Sequence, residues 1–259
     1  MKRGFRKAQV TIFIIVAVVI VVIAGIVFYV VNSNQKNKLS QEFFESAEIK
    51  PKLYEIENHI SDCITQSTRD SIETIGVQGG YYNKPESSED YFDLEWTFIP
   101  YYYGGGEFKI PGLDNVEKEL SDYVKDNVDV CMEGFSMENF EVSYKLKKVD
   151  SQIFEEEVLF KIDFSIDAKT DGKAVTIELE DFKVSYESSL YDILEVADYV
   201  VKTNERTGDM LCVECLVDKA NEKGVYIDML GFADNSELVV ISEDKNEAYA
   251  FEFLIDYGE

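Results

Sequence analysis

Three hydrophobic rhythms follow one another along the chain. From Val10 to Val31 the run VTIFIIVAVVIVVIAGIVFYVV holds nothing more polar than Thr11. Wound as a helix, its 22 residues span about 33 Å, the thickness of a bilayer's hydrocarbon core. A linker over 32–50, opening with the polar residues 32–40, separates it from a second rhythm. After Pro51, suited to a first helical turn, Leu53, Ile56, Ile60, Cys63/Ile64, Ser67 and Ile72/Ile75 recur at steps of three and four. This spacing predicts an amphipathic helix closed by Gly76 and Gly79-Gly80. Asp114 reads as the N-cap of another helix, striped by Val116, Leu120, Tyr123/Val124, Asn127/Val128 and Cys131.

From Phe140 the period becomes two. Phe140, Val142, Tyr144 and Leu146 alternate; so do Val158 to Ile166 and Val175 to Leu179, the last run continuing irregularly through Phe182, Val184 and Tyr186. Asp171-Gly172 is a hairpin signal between the last two runs. An antiparallel meander with one dry face follows. Further helices are predicted over 189–203 and 210–223, the latter capped by Asp209 and closed by Gly224. Val225–Leu230, Leu238–Ile241 and Tyr249–Ile255 read as closing strands. Strands and helices segregated in this way indicate an α+β class with antiparallel sheet and packed helices.

The 32 residues Tyr81–Gly112 fit neither rhythm. They hold Pro85, Pro100, Pro111, the run Gly104-Gly105-Gly106 and ten aromatic rings. So long a structureless loop is uncommon in a compact domain, and short strands are expected at 91–98 and 107–110. Trp96, Tyr101, Tyr102 and Tyr103 are the candidate partner-contact residues, because Tyr and Trp offer large amphipathic area at low entropic cost. The alternative is that these rings cap the helices and cover a sheet edge.

Charge orients the chain. Lys2, Arg3, Arg6, Lys7, Lys36 and Lys38 stand among residues 1–38 without one acid, although the whole chain carries -26. Cations directly before an apolar span hold that end in the cytoplasm. The span is too long for a secretory signal, and Val30-Val31-Asn32 offers no small-residue cleavage site. The expected layout is a basic cytoplasmic leader at 1–9, a membrane span at 10–31, a linker at 32–50 and an ectodomain at 51–259, divisible into 51–139 and 140–259. A body so acidic is a poor partner for nucleic acid, whose binding rests on cations neutralising phosphate. The expected partners are the membrane, through residues 10–31, and copies of the chain or other envelope proteins.

The string Lys7-Ala8-Gln9-Val10-Thr11-Ile12-Phe13 resembles the class III signal of archaeal type IV pilin-like proteins. That resemblance implies processing between Ala8 and Gln9, with the helix left attached. Thr11 matches the family's Ser position. Phe13 stands where the family carries the Glu that pairs with a neighbour's amino terminus during filament assembly. Asp62-Cys63-Ile64, Gly76-Val77-Gln78-Gly79-Gly80-Tyr81 and Cys131-Met132-Glu133-Gly134-Phe135 resemble membrane-anchored surface proteins of small-genome archaea. This second resemblance implies location and architecture, and no activity.

All four cysteines lie on the expected outer side, where disulfides persist. Cys63 and Cys131 sit on the apolar stripes of two helices. A bridge between them would close a loop of roughly 68 residues, worth about 3–5 kcal/mol on the chain-entropy model. Cys212-Val213-Glu214-Cys215 then remains, as a local disulfide, two packed thiols, a redox pair or half a zinc site.

No constellation supports an enzyme, a cofactor or a metal centre. His59, the one histidine, falls beside the stripe of Ile56 and Ile60 and reads as a helix-surface residue. No Gly-x-Ser-x-Gly turn or phosphate-binding glycine loop is present. The acids Glu89, Asp90 and Asp93, and Glu155-Glu156-Glu157, lack EF-hand spacing and read as solvated surface. The primary role expected is a pilin-like or cell-envelope structural or interaction protein. Two alternatives stand beside it: a surface binding module using residues 81–112, and a membrane-tethered thiol oxidoreductase using Cys212 and Cys215.

Overall fold

A computed structural model describes residues 49–207, 212–233, 235–243 and 249–257. The expected leader, its Ala8 and Gln9, the apolar run 10–31 and most of the linker lie outside these. Among the described residues no helix is long and apolar enough to cross a membrane.

The chain divides into two compact units. Among the described residues, one comprises Glu57–Ser136, Ser143–Ile166 and those from Ile177 onward; the other comprises 49–56, Met137–Val142 and Asp167–Thr176. Within the smaller unit, Lys52 lies 6.0 Å from the centre of the Phe140 ring and Lys169 pairs with Glu141 at 3.5 Å. Asp171 and Gly172 both take positive φ, 50° and 72°, as a two-residue hairpin turn requires.

The fold is α+β. Helix α1 runs over Lys50–Val77 and buries Ile56, Ile60, Cys63, Ile64 and Ile75 along one stripe. Its end is a Schellman turn: Gly80 N–H donates to Ile75 O at 2.8 Å and Gly79 N–H to Gly76 O at 3.0 Å. Gly79 has φ +52°, and a Cβ there would lie 2.5 Å from Glu252 O and 2.7 Å from Pro100 Cγ. Only glycine fits.

Helix α2, Leu113–Met132, buries Val116, Leu120, Val124 and Val128. Its N-cap is Gly112; Asp114 lies inside the first turn, where its charge opposes the helix dipole's positive end. Helices α3 (Leu190–Thr207) and α4 (Val213–Lys223) are the other helices among the described residues. The N-cap of α4 is Cys212, three residues beyond the expected Asp209, which lies outside the described residues. Gly224 closes it with φ 66°.

The intervening strands are β1 (Tyr91–Asp93), β2 (Phe98–Gly104), β3 (Glu107–Phe108), β4 (Glu141–Ile153), β5 (Glu157–Thr170), β6 (Lys173–Glu187), β7 (Val225–Gly231), β8 (Ser236–Glu243) and β9 (Ala250–Asp256). Strands β4-β5-β6 form a three-stranded sheet, antiparallel because its short turns leave no room for a crossover. The middle strand buries every even residue from Val158 to Ile166. Its neighbours change face midway. In β6 the inward set passes from Val175, Ile177 and Leu179 to Phe182, Val184 and Tyr186, across Asp181. That residue has φ 56°, and its N–H donates to Asp163 Oδ1 at 2.8 Å. This extra residue explains the irregular third run.

The second sheet has the order β1-β2-β9-β8-β7, with β3 paired to β2. Strand β2 pairs parallel to β9, Tyr101 opposite Leu254, so the sheet is mixed where purely antiparallel pairing was expected. The expected strand 91–98 is also corrected: it is interrupted by a turn, Leu94 N–H donating to Thr97 O at 2.9 Å. The principal strand begins at Phe98 and includes Pro100. Pairing with β9 starts only at Tyr101, so Pro100's missing N–H leaves no gap in that ladder. Helix α4 packs on β7 and α3 on β8. Phe251, Phe253, Val239 and Ile241 are fully buried.

Candidate functional site

Two covalent cross-links organise the residues of chemical interest. Cys63 and Cys131 form a disulfide between α1 and α2, with Cα atoms 5.5 Å apart. Cys212 and Cys215 form a second, with Cα atoms 5.3 Å apart. Among the described residues no cysteine is free.

The ends of the first bridge differ. Cys63 is 1 % exposed, on the buried stripe of α1. Cys131 is exposed to solvent, off the stripe where the helical spacing placed it. The stripe of α2 closes at Val128, and the neighbouring Val130 also faces water. His59, one turn before Cys63, is half-buried with Nε2 3.8 Å from Cys63 Sγ. A disulfide sulfur carries no proton, so the ring N–H is the donor. The imidazole stacks on Phe135 at 4.1 Å and 13°. His59 is therefore part of the disulfide's surroundings and more than a helix-surface residue. The sequence signal for this contact was the four-residue step from His59 to Cys63, and the Cys-Met-Glu-Gly-Phe string that returns Phe135 to the same place.

In the second bridge both cysteines are half-buried. Cys215 N–H donates to Cys212 Sγ at 3.3 Å. A sulfur thus serves as the cap that Ser or Asp usually supplies. Beside it α4 and β7 form a shallow apolar groove of about 300 Å³, lined by Val213, Leu216, Val217, Ile227 and Met229 among others.

The four aromatic contact candidates part company. Trp96 is 88 % exposed in the β1–β2 turn. Tyr101 and Tyr103 are half-buried on β2, and Tyr103 packs on Phe108 at 5.4 Å. Tyr102 is wholly buried, stacked on Phe253 at 4.3 Å, and its hydroxyl donates to Gly79 O at 2.8 Å. It is a core residue and is withdrawn from the contact set. Alternation along a strand makes this unavoidable: successive side chains point to opposite faces.

Electrostatics around the aromatic segment follow from burial. Desolvation, reinforced by Asp90 and Glu119, pushes the Tyr81 hydroxyl up to about 12. Burial likewise raises Tyr102 well above the usual tyrosine range, and Glu252 above the usual carboxylate range. The acids suggested as solvated surface are partly neutralised: Asp90 pairs with Lys109 at 2.6 Å and Asp93 with Lys84 at 2.7 Å. Glu155, Glu156, Glu157, Glu187 and Asp192 line an open hollow of about 1090 Å³. Among the described residues no three His, Cys, Asp or Glu side chains are placed to hold a metal ion.

No protein-family model, curated protein or solved structure matches this chain.

Proposed function

We propose that this chain is a membrane-anchored surface protein of pilin-like or cell-envelope type, held by residues 10–31 with its amino end in the cytoplasm and its disulfide-bonded α+β body outside. The observation that carries the reading is the Cys63–Cys131 disulfide in a chain that opens with four cations and a 22-residue apolar run. Such bridges persist in oxidising compartments, and those cations orient the span outward. The role is structural or interactive. Phe13 in place of the family's Glu removes the carboxylate used for filament pairing, which favours an anchored envelope component over a polymer.

Thiol labelling on intact cells tests the reading. An impermeant maleimide should label no cysteine before reduction and four after it, and external protease should degrade the body while sparing the apolar segment. Reduced thiols reached only after lysis would overturn it. Electron microscopy of the purified chain separates filament from anchored unit.

A second reading, a surface binding module, is favoured by Trp96, which is exposed between β1 and β2. The Cys212–Cys215 disulfide by itself does not indicate a thiol oxidoreductase.

A further inference from the structure

The asymmetry of the Cys63–Cys131 bridge has a chemical consequence. Thiol–disulfide exchange proceeds by in-line attack of a thiolate on one sulfur while the other departs. Which sulfur is attacked depends on access, and which departs depends on how well its negative charge is stabilised. Here both criteria agree. Cys131 faces solvent, whereas Cys63 is 1 % exposed. The buried sulfur has a hydrogen-bond donor in place: His59 Nε2 lies 3.8 Å from Cys63 Sγ.

The histidine is held there twice over. It sits four residues before Cys63 on the same helix, the spacing that brings side chains together on one face. Its ring lies flat on Phe135 at 4.1 Å, four residues beyond Cys131. The second disulfide offers a built-in contrast. Its sulfur meets a backbone N–H at 3.3 Å, and His59 is the one histidine of the chain. A histidine therefore stands at one bridge only.

We propose that Cys131 is a site of S-thiolation by low-molecular-weight thiols, and that His59 is the proton donor to the departing Cys63. The incoming thiolate bonds to Cys131 Sγ and the Sγ–Sγ bond breaks. Its electron pair passes to Cys63 Sγ, which takes a proton from the imidazolium form of His59, leaving the neutral ring for solvent to reprotonate. The products are a mixed disulfide on Cys131 and a free thiol at Cys63. No net oxidation occurs, because the thiol's sulfur takes the place of Cys63 in the disulfide. Run backwards, the same step closes the clamp. Cys63, deprotonated by His59, attacks a mixed disulfide on Cys131 and expels the thiol. A dithiol carrier would complete the opening by a second exchange, leaving both helices unlinked.

Glutathione supplies the test on the full-length chain in detergent. After brief reaction and acid quench, peptide mass spectrometry should find glutathione on Cys131 and a free thiol at Cys63. Adduct on Cys63, or an even split, overturns the proposal. The rate of opening, referred to that of Cys212–Cys215 in the same sample, should fall at least tenfold in both H59F and H59Q. H59F preserves a flat ring for Phe135, and H59Q preserves polarity, so a fold defect common to both is unexpected. An unchanged or faster relative rate in either variant overturns the role of His59.

Discussion

The two sheets of this protein are assembled on opposite principles. In β4-β5-β6 every strand pairs with its neighbour in sequence, and β5 keeps one parity of buried residues from Val158 to Ile166. In β1-β2-β9-β8-β7 the centre is built from distant parts, β2 lying parallel to β9. The meander needs only short turns, such as the positive-φ pair Asp171 and Gly172. The mixed sheet needs a keystone. Tyr102 stacks on Phe253 and donates to the Gly79 carbonyl, tying β2, β9 and the end of α1 together. The difference teaches that covalent and steric fasteners matter most where sequence distance is greatest.

The sharpest blow to the mixed sheet is Phe253→Ala. It empties a fully buried site against Tyr102 and should cost about 3–5 kcal/mol by urea denaturation. A loss below about 1 kcal/mol would mean the keystone is dispensable. The fasteners come next. Replacing Cys63 and Cys131 together by Ala should cost about 4 kcal/mol, and replacing Cys212 and Cys215 about 2 kcal/mol, because loop-closure entropy grows with the span enclosed. The spans are 68 and 3 residues; equal losses in calorimetry would remove loop length as the cause. Gly79→Ala should cost about 2–3 kcal/mol through positive φ and the approach to Glu252 O, against a few tenths for Gly231→Ala, where nothing lies within 4 Å. The mildest probe is alkali. A tyrosine ordinarily ionises near 10, and Tyr81 is held up to about 12 by burial, Asp90 and Glu119. Its contribution is complete below pH 10 and is lost as pH rises towards 12. Tyr81→Phe should flatten that decline in a pH series of melting curves; a decline of unaltered slope would assign it elsewhere.

Legibility in the sequence tracked the same division. The stripes of α1 and α2, the Asp-Gly hairpin and the alternation of β5 were all readable, since each depends on neighbours within a few residues. Strand β2 was misplaced because Pro100 and the glycines after Tyr103 look like loop when β9 is out of view. Tyr102 looked like a contact residue for the same reason: composition marks a ring as adhesive but not what it adheres to. The start of α4 at Cys212 was not legible, because there a sulfur accepts the capping bond that an oxygen usually takes. In the candidate site the Cys63–Cys131 pairing was legible from helix spacing, whereas Cys212 and Cys215 stayed open between a local disulfide, packed thiols, a redox pair and half a zinc site. The exposure of Cys131 and the seat of His59 were not legible, for they depend on where α2 runs out of partner and on Phe135 returning beneath the imidazole.

The parallel contact of Tyr101 with Leu254 also sets a timetable. Roughly 150 residues must be synthesised after β2 emerges before its partner exists. At bacterial or eukaryotic elongation speeds that interval is of order ten seconds. Throughout it Phe98, Ile99 and Tyr102 lack the strand that will shelter them. A nascent chain in that condition is a natural client for holding chaperones.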